Sequence, residues 1–194
     1  MRPVICLITD RRRAGGDWRQ RVPLQVARAA RAGVHLVQIR ERDLDGGPLL
    51  GLVRRCLDAV RGTTTRVIVN DRVDVALAAG AHGVHLRADS MSAAAVRRVA
   101  PPGWLIGRSV HGIDAARAAA GGRGLDYLLF GTVFESTSKP GRPAAGLDAL
   151  REVAGAVPLP VLAVGGVTRG RLDAIAAAGA AGAAGISLFA EDLL

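Results

Sequence analysis

Two short hydrophobic runs near the middle of the chain, RVIVN from Arg66 and GVHLR from Gly83, each end in side chains capable of chemistry. Asn70 and Asp71 close the first; Arg87, Asp89 and Ser90 close the second. The arrangement recurs along the chain. The run from His35 ends in Gln38, Arg40, Glu41 and Arg42, the run from Leu105 in Ser109 and His111, and the run from Tyr127 leads into GTVFESTSKPG. The run from Val161 ends in Gly165 and Gly166, and the run from Ala184 carries Ile186 and Ser187. The set suits phosphate handling. Arg40 and Arg42 offer paired N–H donors and Lys139 a point charge, a combination that grips a diphosphate. Gly165 and Gly166 present backbone N–H groups with no side chain in the way, and Ser187 with the N–H that follows it would complete a phosphate cradle. Asp71 is a hard oxygen donor suited to Mg2+, which takes one or two carboxylates together with substrate phosphates. It is equally placed to cap the helical stretch that follows. Ser136, Thr137 and Ser138 bring uncharged hydroxyls to a heterocycle or a phosphate, or simply form a polar loop. His35, His82 and His85 precede or lie within the runs and read as structural, whereas His111 stands past the end of one and is the histidine placed for chemistry.

Such residues need a frame that gathers the ends of successive runs. Eight β-rich runs alternate with Ala-, Leu- and Arg-rich stretches whose apolar residues repeat at i, i+3 and i+4 and mostly close on Gly. Near-continuous apolar strands in strict alternation with helices imply parallel pairing, and eight such units predict an α/β fold of the (β/α)8 TIM-barrel type. An open doubly wound sheet would carry G-x-G-x-x-G after its first strand, and ITDRRRAGG offers none. In a parallel barrel the C-terminal strand ends form one rim, so the polar residues above are expected there. The expectation is one compact barrel domain over residues 1–194. Only AEDLL follows the eighth run, so the eighth helix is expected to be truncated or missing. Exposed apolar area costs roughly 25 cal/mol per Å², so a partner subunit is expected over that flank, giving a homodimer.

The formal charge of +9 and the pI of about 11.3 raise the question of nucleic acid. The arginines stand as singles and pairs along helical stretches (Arg28, Arg31, Arg54, Arg55, Arg97, Arg98, Arg151), and aromatics make up only 3% of the chain, too few to interleave as base-stacking partners. The charge is therefore read as a field favouring small anionic substrates, with no nucleic-acid partner. No apolar stretch approaches the ~20 residues needed to span a bilayer, and MRPVICLITD lacks a long apolar segment with a cleavage site, so a cytoplasmic location and no membrane association are expected. Cys6 and Cys56 have no spacing pattern and read as buried thiols.

In this order, QIRER, VNDRVDVALAAGAHGVHL, GRSVH, FGTVFESTSKP, AVGGV and GISLF spread over almost the whole chain and resemble the thiamine phosphate synthase and thiazole tautomerase family. The resemblance implies a (β/α)8 barrel, usually dimeric, acting in the last assembly steps of thiamine biosynthesis. The synthase joins hydroxymethylpyrimidine diphosphate to thiazole phosphate with Mg2+ and releases diphosphate; the tautomerase isomerises thiazole carboxylate phosphate. Matched position by position, the resemblance makes Arg40, Asn70 and Lys139 diphosphate ligands and Asp71 a magnesium ligand. It sets Ser109 and Ser136 or Ser138 around the pyrimidine and thiazole, and Gly166, Ile186 and Ser187 at the thiazole phosphate; Gln38, Arg42, His111 and Gly165, at the strand ends, are expected as further substrate contacts. Departures divide the two activities. Arg42 stands for a Lys, and Ser136 and Ser138 for threonines. Ser90 stands where the synthase has a second metal-binding Asp, with Asp89 next door to replace it. Thr132 stands where the tautomerase has its catalytic His, and a Thr hydroxyl does not shuttle protons near neutral pH. A lost carboxylate with a neighbouring substitute is the smaller deficit, so the synthase leads. A tautomerase using His111 or Asp71, and a non-catalytic regulator binding thiamine phosphate or a thiazole phosphate, are the alternatives.

Overall fold

A computed structural model describes residues 3–135, 143–186 and 188. Eight strands, β1 (Val4–Ile8), β2 (Leu36–Ile39), β3 (Arg66–Asn70), β4 (Gly83–Leu86), β5 (Leu105–Val110), β6 (Tyr127–Phe130), β7 (Val161–Val164) and β8 (Gly182–Gly185), pair in parallel, each with the next and β8 with β1. The sheet is a closed barrel. Helices α1 (Trp18–Arg31), α2 (Gly46–Ala59), α3 (Val73–Ala79), α4 (Ala93–Arg97), α5 (Ile113–Gly121), α6 (Gly146–Ala156) and α7 (Leu172–Ala177) connect the strands, as the alternation requires. None of the described helices is long and apolar enough to cross a membrane. The expected shortfall of an eighth helix falls on residues after Leu188, outside the described residues.

Period-two alternation sorts the strand residues between two apolar regions. Outward-facing Val67, Val69, Val84, Leu86, Leu128 and Phe130 pack against the helices. Inward-facing Cys6, Ile8, Leu36, Ile68, Tyr127, Leu129, Leu162 and Ala184 fill the barrel itself. Both cysteines are buried and free, and burial pushes each thiol up to about 12, so neither is a nucleophile near neutral pH.

One strand start differs by two residues from the sequence expectation. The last strand begins at Gly182 rather than Ala184, because closure pairs Gly182 with both Val4 and Leu162. A Cβ at Gly182 would overlap the Val4 backbone, so the joint requires a residue without a side chain. Ile186 then falls just past the strand. Helix α1 begins at Trp18, before Pro23, although Pro usually marks a helix start or break. The Asp17 carboxylate caps it by accepting from the Arg19 N–H at 3.0 Å, and Val22 and Val26 bury completely on either side of Pro23.

The two kinds of glycine predict opposite outcomes. Gly182→Ala should lower stability by about 1–3 kcal/mol or more, the usual cost of overpacking, because backbone cannot move aside. Gly51→Ala, in mid-α2 with open space around its Cβ position, should raise stability by roughly 0.5–1 kcal/mol. Urea midpoints for the two variants measure both.

Candidate active site

At the C-terminal end of the barrel the last inward layer becomes partly polar. Ile8, Gln38, Asn70, Ser109, Leu129 and Val164 form the floor of a cavity of about 530 Å³. Gln38 Nε2 donates to Asn70 Oδ1 at 2.9 Å, which leaves the Asn70 amide N–H groups to serve a ligand. Arg40, Arg42, His111, Thr132, Gly165, Gly166 and Ile186 build the walls. The structure thus brings Gln38, Arg40, Arg42, Asn70, Ser109, His111, Gly165, Gly166 and Ile186 to one opening. Ser136, Ser138, Lys139 and Ser187, also named from the sequence, lie outside the described residues.

Arg40 is held from below by a network that spans the tops of β1 and β2. The Glu41 carboxylate is buried; it accepts from Thr9 Oγ1 at 2.6 Å and, through both oxygens, from the Arg11 backbone N–H at 3.1 Å. Thr9 Oγ1 in turn accepts from the Arg40 N–H at 3.0 Å. Burial pushes the Glu41 carboxyl up, and the Thr9 and Arg11 bonds oppose that shift. Burial, with Arg42 nearby, also lowers the Arg40 guanidinium. Glu41 is therefore buried between a half-buried Arg40 and an exposed Arg42.

A cluster of basic residues at the opening is not among those the sequence pointed to. Arg11, Arg12 and Arg13, on a 3-10 turn after β1, line the opening. Arg11 and Arg12 both donate to Asp43 Oδ2, at 2.9 and 2.7 Å, and Arg13 lies 3.6 Å from Asp10. The hydrogen bond from Arg12 holds Asp43 below the usual carboxylate range. The signal was the triplet RRR directly after a strand end.

Asp71 stands beside Asn70 in a left-handed conformation, φ +64°. It does not cap α3: the cap position is Arg72 and no side chain fills it. The left-handed turn lets the Asp71 N–H donate to the His85 carbonyl at 2.9 Å and directs the carboxylate to the β4 loop instead. There Ser90 Oγ donates to Asp71 Oδ1 while accepting from the Arg87 N–H at 2.9 Å. Arg87 Nε lies 3.6 Å from Asp71 Oδ2 and the same guanidinium pairs through two bonds, 2.9 and 2.6 Å, with the exposed Asp89. That hydrogen bonding holds Asp89 below the usual range. Arg108 fastens the loop from outside by donating to the carbonyls of Arg87, Ala88 and Met91. Among the described residues no three His, Cys, Asp or Glu side chains gather as a metal cage.

The histidines separate clearly. His35 Nδ1 and His82 Nδ1 accept backbone N–H bonds from Ile5 and Val67 at the starts of strands. His111 Nδ1 lies 2.6 Å from the Gly131 carbonyl, which only accepts, so Nδ1 carries the proton and Nε2 is the basic atom of the neutral ring. His85 is fully enclosed beneath the floor, with Nδ1 2.9 Å from Tyr127 Oη and Nε2 2.9 Å from Ser109 Oγ. Burial, reinforced by Arg108, lowers its pKa to about 3, and burial raises the Tyr127 phenol well above its usual value.

Residues 5–189 match the family model described as thiamine monophosphate synthase. The thiamine-phosphate synthase of Methanoculleus marisnigri is 44% identical over 161 residues, covering 82% of this chain and 75% of that one. The thiamine-phosphate synthase of Roseiflexus castenholzii is 40% identical over 188 residues, covering 96% and 80%. A solved thiamine phosphate pyrophosphorylase from Pyrococcus furiosus superposes with a TM-score of 0.81 at 30% identity, over 95% of this chain and 85% of that one.

The low pKa of His85 sets an acid sensitivity. Below the usual 6.5 the unfolded chain takes up a proton that the folded chain refuses down to about 3. Stability contributed by the neutral ring is therefore present above pH 6.5 and is lost on acidification, with a slope of up to about 1.4 kcal/mol per pH unit. Urea titrations from pH 7.5 to pH 4.5 should show a gap between wild type and His85→Gln that narrows or reverses as the pH falls.

Proposed function

The chain belongs to the thiamine monophosphate synthase family, and from that membership we propose that it joins hydroxymethylpyrimidine diphosphate to thiazole phosphate, forming thiamine phosphate and releasing diphosphate. The observation that carries the reading is the cavity itself, in which Arg40 and Arg42, and Gly165 and Gly166, border an uncharged floor. A diphosphate suits the first pair, a monophosphate the second, and two heterocycles the floor between them.

In this reaction the C–O bond between the pyrimidine methylene and the diphosphate breaks, its electron pair leaves with the diphosphate, and the thiazole nitrogen supplies the pair for the new C–N bond. No side chain has to remove a proton. The protein's work is to stabilise the departing negative charge and to keep the nitrogen aligned with the methylene. We assign the first task to Arg40, Arg42, Asn70 and Lys139. Partial burial suits Arg40 to it, since a guanidinium removed from water attracts phosphate oxygens more strongly. Gln38 and Ser109 hold the pyrimidine, with His111, Ser136 and Ser138 around the two rings, and Gly165, Gly166, Ile186 and Ser187 hold the thiazole phosphate.

The donor set fits Mg2+ carried largely by phosphates. Among the described residues Asp71 is not joined by two further acidic, imidazole or thiol side chains, and Mg2+ commonly takes one or two carboxylates and completes its shell with water and substrate oxygens. Asp71 would hold the ion, and Asp89 joins only by releasing Arg87. When bound, magnesium supplies positive charge to the diphosphate oxygens. We further infer a cytoplasmic homodimer. The tautomerase reading draws on one observation, the basic Nε2 that the Gly131 carbonyl leaves on His111.

Purified protein with both substrates and Mg2+ should yield thiamine phosphate, and EDTA should abolish the yield. Asp71→Asn tolerates the left-handed backbone and removes only the charge; its kcat should fall on the order of 10²-fold, as should that of Arg40→Ala. Product formation indifferent to EDTA would remove the metal from the scheme. Absence of product together with proton exchange into thiazole carboxylate phosphate would replace the synthase by the tautomerase.

A further inference from the structure

Beneath the cavity floor lies a polar pair that the reaction scheme leaves unused, His85 and Tyr127, both buried in an otherwise apolar barrel interior. Its geometry determines where each proton sits. Among the described residues, the hydrogen-bond partner of the Tyr127 hydroxyl is His85 Nδ1. If Nδ1 carried the ring proton it would donate to the phenol oxygen, and the phenol O–H would be left buried without an acceptor, a costly state. The phenol therefore donates to Nδ1. The neutral ring must then carry its proton on Nε2, which points at Ser109 Oγ from 2.9 Å. Ser109 accepts that bond, so its own hydroxyl proton is free to turn into the cavity that Ser109 lines.

We propose that Tyr127 and His85 form a positioning relay that fixes Ser109 as a hydrogen-bond donor toward the cavity, selecting a ligand that presents an unprotonated ring nitrogen there. A second observation shows that the fold makes room for this contact. A Cβ at Gly107, on β5 opposite Tyr127, would overlap the phenol ring and its oxygen, so Gly107 is what allows the ring to lie across the barrel to His85. The ring pair is tilted by 31° with centroids 5.6 Å apart, a contact made through the hydroxyl rather than by stacking. The ligand half of the inference rests on the proposed reaction, in which the pyrimidine lies over Ser109; a pyrimidine ring nitrogen is an acceptor and requires a donor opposite it. Tyr127 and His85 touch no substrate and act through Ser109 alone.

The relay is read without substrate by 15N NMR of the full-length protein labelled at histidine, the His85 signals being identified by their loss in His85→Gln. The expected spectrum has a pyridine-type Nδ1 and a pyrrole-type Nε2; the reverse pattern overturns the relay. With substrate, Tyr127→Phe and Ser109→Ala should each raise KM for hydroxymethylpyrimidine diphosphate on the order of tenfold and leave KM for thiazole phosphate unchanged. The double variant should be no worse than Ser109→Ala, because both changes act through one hydroxyl. His85→Gln, whose amide N–H can replace Nε2–H, should retain more affinity than His85→Leu. Additive losses from Tyr127→Phe and Ser109→Ala would overturn the inference. A wild-type protein that forms no thiamine phosphate would instead defeat the proposed reaction, and the ring tautomer would still decide the relay.

Discussion

The site exists because the sheet closes. Residues from β2, β3, β5, β7 and the segment after β8 share one cavity only when β8 pairs with β1, and that joint depends on a glycine. At Gly83, Gly131 and Gly182 the carbonyl of the adjacent strand occupies the space a Cβ would need. Close approach at these points matches a chain in which aromatics are only 3% of residues: the buried apolar filling of the barrel is Cys, Ile, Leu and Ala with a single tyrosine. A small interior of this kind has no room for slack, and the floor side chains inherit its rigidity.

Within that frame, polar groups are stabilised in proportion to their burial. Glu41 is the clearest case. Enclosing a carboxylate without partners would neutralise it, and here three bonds from Thr9 and Arg11 to its two oxygens oppose the burial penalty. The same carboxylate ties the loops after β1 and β2 together, so the backbone of Arg40 and the arginine turn at Arg11 are fixed by one group. His85 is stabilised differently, as a neutral ring with both nitrogens engaged. A charged network therefore shapes the rim and a neutral one supports the floor, which suits a cavity whose ligands are anionic at the ends and heterocyclic between.

The barrel was legible in the sequence because its signals are local: alternation, apolar runs and glycine stops are visible within each segment. The site was legible at strand ends for the same reason, as with Gln38, Asn70 and Ser109. Features that depend on a partner distant in sequence were not. The start of β8 is set by Val4 across the closure. Val22 and Val26, on either side of Pro23 in α1, bury in a cluster that also holds the strand residues Leu7, Val37 and Ile39. Glu41 sits between two arginines and reads as exposed charge until Thr9 is seen beneath it. His85 shares its strand with Val84 and Leu86 but faces the other way; period two places it inward with Ser109, and only the β6 pairing reveals that Tyr127 makes it a positioning group.

The β4 loop shows how one substitution changes the resting state of a cation site. Were position 90 an Asp, as the family resemblance leads one to expect, its carboxylate would lie against Asp71 and the two like charges would repel unless a cation joined them. Serine removes that conflict. Its hydroxyl donates to Asp71 while it accepts from the Arg87 backbone, Arg87 adds positive charge on the other oxygen, and Arg108 holds the loop in that shape through its carbonyls. Asp71 is thus satisfied without a cation, and a cation must compete with a hydroxyl and a guanidinium for it. Phosphate oxygens arriving with the substrate would shift that competition, because they bring ligands and charge that the loop itself does not supply.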